Sequence, residues 1–157
     1  MATLAWGKST QLGRGLGLAL GAKLAQPNKT VVNIMGDLAS GTVGMEVETA
    51  VRERLPILTV ILNNSVMGGY GHHMPNASDR YGANRLSGSY ARVAESLGAH
   101  AERIERPDDV RAAFERGIAA NRDGRTVVLE MITKEEPLYP VAGQLLREAE
   151  SEALAPV

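Results

Sequence analysis

The chain has no cysteine among its 157 residues. Disulfides, Cys-ligated zinc and thiol nucleophiles are excluded with it. An excess of one charge is also missing: 17 Lys and Arg stand against 18 Asp and Glu, a formal net charge of −1. A surface that neutralises nucleic-acid phosphates needs basic residues in excess and clustered, whereas here they are scattered, so nucleic acid is not an expected partner. No apolar run approaches the length of a membrane span, and the start carries no basic segment leading into an apolar core, as a signal peptide would. A membrane is therefore not an expected partner either, and the cytoplasm is the default compartment. Internal repeats and low-complexity segments are absent too. What remains is one domain, long enough to bury a substantial core.

Two short apolar runs, residues 30–35 and 57–62, have the length and composition of buried strands. Between them, residues 44–54 have helical spacing, with Val47, Ala50 and Val51 on the apolar side and Met45, Thr49 and Arg52 near another face. Strand, helix, strand of this size is one parallel crossover unit, so the expected fold class is α/β, a parallel sheet flanked by helices. Asp37 and Asn64 leave the carboxyl ends of the two strands, the edge where open α/β sheets bind ligands. A carboxylate and an amide oxygen converging there suit a hard divalent cation such as Mg2+, which takes one or two protein oxygens together with phosphate and water. Residues 37–42 read as a short polar turn opening onto the helix, with free N–H groups and the positive end of the helix dipole at the same edge. A metal-bridged diphosphate matches that arrangement better than a lone phosphate.

With Gly36-Asp37-Leu38 followed at this distance by Asn63-Asn64, the sequence resembles the pyrophosphate-binding domain of thiamine-diphosphate-dependent enzymes, and among them the acetolactate synthase-like branch. That family is marked by Gly-Asp-Gly, a spacer of this length, and Asn-Asn. The resemblance extends over residues 7–134. Residues 12–25 look like the family's glycine-rich helix, Glu46, Thr49 and Ala50 match its Glu-x-x-Thr-Ala segment, and Leu55-Pro56 opens the next strand as it does there. The resemblance implies a thiamine-diphosphate-binding fold over residues 1–134, lacking its first strand, with residues 135–157 a tail that is either one amphipathic helix over 144–153 or disordered. It implies that Asp37, the side chain of Asn64 and the main-chain carbonyl of Val66 bind Mg2+. Backbone N–H groups of Leu38 and Ala39, next to Gly36, would hold diphosphate oxygens. Leu12 would sit under the bent cofactor, with Gly13 and Gly15 letting the backbone approach it.

Two positions depart from the family pattern. Leu38 replaces the second glycine, at a position that contributes mainly backbone. His72-His73 stand where acetohydroxyacid synthases carry a Gln-Trp pair, which leaves donor and acceptor substrates open. The glutamate that activates the cofactor lies in the family on a pyrimidine-binding domain, with no equivalent here, so no catalytic residue is assigned. The resemblance thus implies part of an enzyme that decarboxylates a small 2-oxo acid and transfers the acyl unit. It would be inactive alone and completed by a pyrimidine-binding domain or subunit in a homo- or hetero-oligomer. Two alternatives are a small subunit of a two-chain 2-oxo acid decarboxylase and a truncated, non-catalytic remnant or interaction module.

Further along, residues 65–87 read as a polar, glycine-rich active-site loop, 87–97 as a helix and 100–104 as a short strand. Residues 108–121 follow Pro107 as a helix, and 125–132 form the last clear strand. Gly7-Lys8-Ser9 lacks the first glycine and the preceding strand of a P-loop. The glycines from Gly13 to Gly17 precede a strand where a dinucleotide fingerprint follows one, so helix packing or the cofactor contact is the reading. His72 and His73 read as a solvated or substrate-facing loop, and Lys8, Arg14 and Arg80 as surface charges. Taken singly, Asp37 reads as a helix cap and Asn64 as a turn former; spacing and flanks together favour the metal.

Overall fold

The computed structural model describes residues 11–135. The Gly7-Lys8-Ser9 motif, including Lys8, and the expected tail helix over 144–153 lie outside the described residues.

Within them the chain runs α1 (Arg14–Ala25), β1 (Val31–Gly36), α2 (Asp37–Val43), α3 (Glu46–Arg52) and β2 (Ile57–Asn63). It continues through α4 (Tyr70–His73), α5 (Pro75–Tyr81), α6 (Tyr90–Ser96), β3 (His100–Ile104), α7 (Val110–Arg122) and β4 (Val127–Ile132). The four strands form one sheet in the order β1-β2-β4-β3, and every pairing is parallel. This is the α/β architecture expected, a parallel sheet between helices.

β2 and β4 occupy the centre, which explains why their sequences are mainly apolar, with Thr59, Asn63 and Glu130 as buried exceptions: a strand covered on both faces has no solvent side to make polar. One face packs against α1, α3 and α6 through Leu16, Leu20, Val47, Ala50, Ile57, Ile61, Ala94 and Val128. The other face carries Leu58, Val60, Val127, Leu129 and Met131 under Ala113 and Phe114 of α7. Gly117 lets α7 come this close, because a Cβ there would stand 3.2 Å from Leu129 Cδ1 and 3.3 Å from Val127 Cγ1. α7 does not reach the β1 side of the sheet. There Val32 and Leu62 are exposed and Ile34 is 67% exposed, an uncovered apolar strip.

Four local expectations need correction. Residues 37–42 are not a turn before a helix; they are a helix themselves, α2, and the helix expected over 44–54 is the separate and shorter α3. Gly, Ser and Thr are weak helix formers, but burial of Ala39 and Ser40 and a bond from Thr42 Oγ1 back to Ala39 O (2.8 Å) outweigh propensity here. The expected loop over 65–87 contains α4 and α5, the second opening with Pro75 in its first turn, where the missing N–H has no helical partner to lose. The helix expected over 87–97 is the shorter α6.

Leu129 is fully buried in the face under α7. Leu129→Ala should lower stability by about 2–5 kcal/mol in chemical denaturation, the cost of lost transfer energy plus the cavity. Arg116 of α7 forks onto Glu102 of β3, with its Nη2 2.6 Å from Oε2. The hydrogen bond from Arg116, aided by His100, holds the Glu102 carboxyl below its ordinary value of 4.5 despite partial burial. A lowered carboxyl contributes stability above that ordinary value and loses it as pH falls through the folded one. Thermal unfolding followed below pH 4.5 should therefore show a decline that Arg116→Ala makes shallower.

Candidate functional site at the carboxyl edge of β1 and β2

Parallel register sets the site. Val31 pairs with Ile57 and Gly36 with Leu62, so Asp37 and Asn63 leave the sheet side by side. Gly36 is extended (φ −80°, ψ 168°), and α2 begins at the next residue, turning Asp37 inward until it is only 3% exposed. Both carboxyl oxygens of Asp37 accept backbone N–H groups. Leu38 N donates to Oδ1 at 2.8 Å, and Ser65 N donates to Oδ2 at 2.7 Å. The second bond ties the end of β1 to the turn that follows β2.

That turn is strained. Ser65 has φ +60°, in the left-handed region that costs an ordinary residue about 1–2 kcal/mol. The conformation aims its N–H at two acceptors together, Asp37 Oδ2 and Asn63 Oδ1, the latter at 3.0 Å, while Ser65 Oγ also donates to Asn63 Oδ1 at 3.2 Å. Next along the chain, Val66 N donates to Asn64 Oδ1 at 3.1 Å, closing a side-chain-to-backbone turn. Val66 also forms an isolated antiparallel bridge with Arg85. The bridge bonds flank it, from Leu86 N to Ser65 O and from Met67 N to Asn84 O, so neither uses the Val66 carbonyl.

The donor set fits a hard cation. Asp37, Asn64 and Val66 offer only oxygens, and each side-chain oxygen that accepts one N–H keeps a second lone pair. Leu38 is accommodated because its backbone is helical, a conformation open to any residue, so a second glycine is not required at this position. Its N–H is bonded to the Asp37 carboxyl, which leaves Ala39 as the other first-turn donor named from the sequence.

Leu12 is 40% exposed and precedes Gly13, which caps α1 at φ +90°. A Cβ on Gly13 would lie 2.5 Å from Val43 Cγ1, and one on Gly15 would lie 2.8 Å from Asn33 Oδ1. These two glycines therefore admit close packing of the start of α1 on the end of α2 and on β1. Arg14 and Arg80 are exposed. His73 is exposed on α4, edge-on to Tyr70 with ring centroids 6.1 Å apart. Among the described residues no three His, Asp or Glu side chains cluster as a metal site would require.

Sequence reasoning gave no role of their own to three residues, Glu130, Tyr90 and Asn63, the last quoted only as part of the Asn63-Asn64 motif. Glu130 of β4 is 0% exposed, and its carboxyl takes three donors: Asn63 Nδ2 at 2.7 Å, Ala91 N at 2.9 Å and Arg103 Nη1 at 2.7 Å. A carboxyl inside the apolar run 127–132 was the available signal. Asn63 is 3% exposed and Tyr90 half-buried beside them. Burial first, then the charges of Asp37 and Glu130, push the Tyr90 phenol above its ordinary value, so it stays neutral at physiological pH.

The comparisons with known proteins bear on the family and the fold. Residues 2–131 match the family model described as thiamine pyrophosphate enzyme, C-terminal TPP binding domain. An acetolactate synthase large subunit from Mycobacterium tuberculosis is 37% identical over 134 residues, covering 82% of this chain and 23% of its own length. A 2-hydroxyacyl-CoA lyase from Arabidopsis thaliana is 31% identical over 132 residues, 74% of this chain and 21% of its own. Among solved structures, the thiamine diphosphate-dependent 4-hydroxybenzoylformate decarboxylase of Rhodococcus jostii RHA1 aligns with a TM-score of 0.68 at 26% identity, covering 81% of this chain and 24% of that one. The chain thus spans about a quarter of the length of the relatives it matches. It belongs to the thiamine pyrophosphate enzymes, as their C-terminal cofactor-binding domain.

Proposed function

We propose that this domain holds thiamine diphosphate through a Mg2+ ion bound by Asp37, the Asn64 side chain and the Val66 carbonyl, within an acetolactate synthase-like enzyme. The observation that carries the metal assignment is the bond from Ser65 N to Asp37 Oδ2, which draws the Asn64–Val66 turn against the carboxylate of the neighbouring strand. Ala39 N–H, and Leu38 N–H once released from Asp37, would donate to diphosphate oxygens beside Gly36. Leu12 and Gly13 would face the rings of the bent cofactor.

Thiamine diphosphate, when bound, supplies the carbon nucleophile that adds to a 2-oxo acid and the electron sink that makes loss of carbon dioxide feasible. The residues of this chain contribute position and charge. Asp37 offsets the charge of the metal, and the turn after β2 keeps its oxygens in place before the ligand arrives, so little reorganisation accompanies binding. No described side chain is placed to act as the activating acid. A pyrimidine-binding domain or partner chain is assigned that role, and the apolar strip of Val32, Ile34 and Leu62 is consistent with further protein covering this sheet. Decarboxylation with acyl transfer is favoured over simple cleavage because the acetolactate synthase relatives share more identity with this chain than the lyases do.

Calorimetric titration of the chain with thiamine diphosphate, with and without Mg2+, tests the reading. Binding should need the metal and should weaken roughly 10-fold or more in Asp37→Ala and in Asn64→Ala, with the fold retained by circular dichroism. Metal-independent binding, or wild-type affinity in both variants, would remove these residues from the site.

A further inference from the structure

We infer that Glu130 is a positioning residue for the metal-bearing turn, acting through the Asn63 amide; its functional meaning rests on the diphosphate reading above. Glu130 is on β4, the strand beside β2, and its carboxyl is not among the groups assigned to the metal. A fully buried carboxyl in the middle of a sheet is costly unless every oxygen has donors, and here both do. Its connections point in one direction. Arg103 of β3 and Asn63 of β2 both donate to Oε1, and the N–H of Ala91, at the start of α6, donates to Oε2.

The consequence lies in the amide of Asn63. The two ends of an amide differ little in shape but are opposite in hydrogen-bonding sense. An acceptor on the Glu130 side draws Nδ2 towards it, which leaves Oδ1 facing Ser65. Oδ1 then accepts both the N–H and the hydroxyl of Ser65. If the amide turned over, its NH2 would meet the Ser65 N–H donor to donor, and the left-handed Ser65 would lose the acceptor that helps hold it at φ +60°. The same N–H reaches Asp37 Oδ2. A continuous chain thus links Glu130, Asn63, Ser65 and Asp37 across β4, β2 and the end of β1: Ser65 N–H donates to both Asp37 and Asn63, and Asn63 Nδ2 donates on to Glu130. Asn64 and Val66 flank Ser65 in sequence, so the orientation of their oxygens follows from the conformation that this chain maintains.

Direction makes the inference testable, because it can be reversed. In Glu130→Gln an NH2 group replaces one oxygen and meets either Asn63 Nδ2 or Ala91 N–H, two donors face to face in either orientation. In the double variant Asn63→Asp/Glu130→Gln the glutamine NH2 donates to the new carboxylate, whose other oxygen still accepts Ser65 N–H. The glutamine oxygen keeps the Ala91 N–H, while Arg103 loses its acceptor at residue 130 but is partly exposed and keeps Glu105.

The experiment uses the full 157-residue chain. Amide hydrogen exchange is read at Ser65 by NMR without cofactor, with Val60 in the middle of β2 as the internal control. Affinity for thiamine diphosphate plus Mg2+ is read by calorimetry. Glu130→Gln should accelerate exchange at Ser65 roughly 10-fold beyond any change at Val60, and should weaken metal-dependent binding by about 10–100-fold, as loss of a supporting partner does at metal sites. The double variant should return both readouts most of the way to the wild type. Unchanged exchange at Ser65, an equal rise at Val60, or a double variant no better than the single one would overturn the positioning role. If Glu130→Gln does not fold, a folded double variant with Ser65 protected supports the role, and an unfolded double variant overturns it. A wild-type chain that binds no cofactor would defeat the diphosphate reading, while the exchange data would still decide the relay.

Discussion

Everything at the candidate site depends on the parallel register between β1 and β2. With Gly36 opposite Leu62, the strands end level, and the residues that follow them, Asp37 and the Asn63–Val66 turn, meet at one edge. A slip of one residue would reverse the faces of β1, sending Asn33 and Met35 out of the core and Val32 and Ile34 into it. The fit of Met35 beneath α1 and α3, together with the continuous apolar surface of β2, resists that slip. Hydrophobic burial therefore sets where a carboxylate stands, although the carboxylate itself contributes nothing to that burial.

Polar groups then refine what register places roughly. Asp37, Asn63 and Glu130 are all buried, and burial of such groups is tolerated only when their hydrogen bonds are complete. Each takes partners from elsewhere in the fold, and Asp37 and Asn63 share the Ser65 N–H. Asp37 takes N–H donors from α2 and from the turn after β2, while Glu130 takes donors from β2, β3 and the start of α6. Buried this way, the network joins β2, β3 and β4 to the end of β1 and supports a strained Ser65 that a solvated turn would let relax. Strain held by surrounding structure is a common attribute of binding sites, where it keeps ligand-facing groups oriented in advance. The phenol of Tyr90, kept neutral beside two carboxylates, adds no third negative charge to this corner of the fold.

Much of the fold was legible in the linear pattern. Runs such as 57–62 and 127–132 are too short for buried helices and too continuous for one-sided strands, so they announce a parallel sheet covered on both faces. The residues 37–42 misled because Gly, Ser and Thr weaken helix propensity, and propensity yields to packing once Ala39 and Ser40 have a core to enter. The stretch 65–87 misled for a related reason: α4 and α5 are only a turn or two long, and helices that short leave no periodic signature to read.

For the candidate site the division follows the range of the interactions. The sequence by itself determined the class of fold, the strand ends that carry Asp37 and Asn64, and the oxygen-rich chemistry of that edge, because these rest on local pattern and on a motif with its own spacing. Only the tertiary structure decided that Ser65 bridges Asp37 and Asn63, that Leu38 occupies a helical position open to any side chain, and that Glu130 of the neighbouring strand accepts the Asn63 amide. Asn63 and Glu130 are 67 positions apart in the chain and 2.7 Å apart in space. No local pattern encodes that pair, since it exists only after β4 has inserted beside β2 in register.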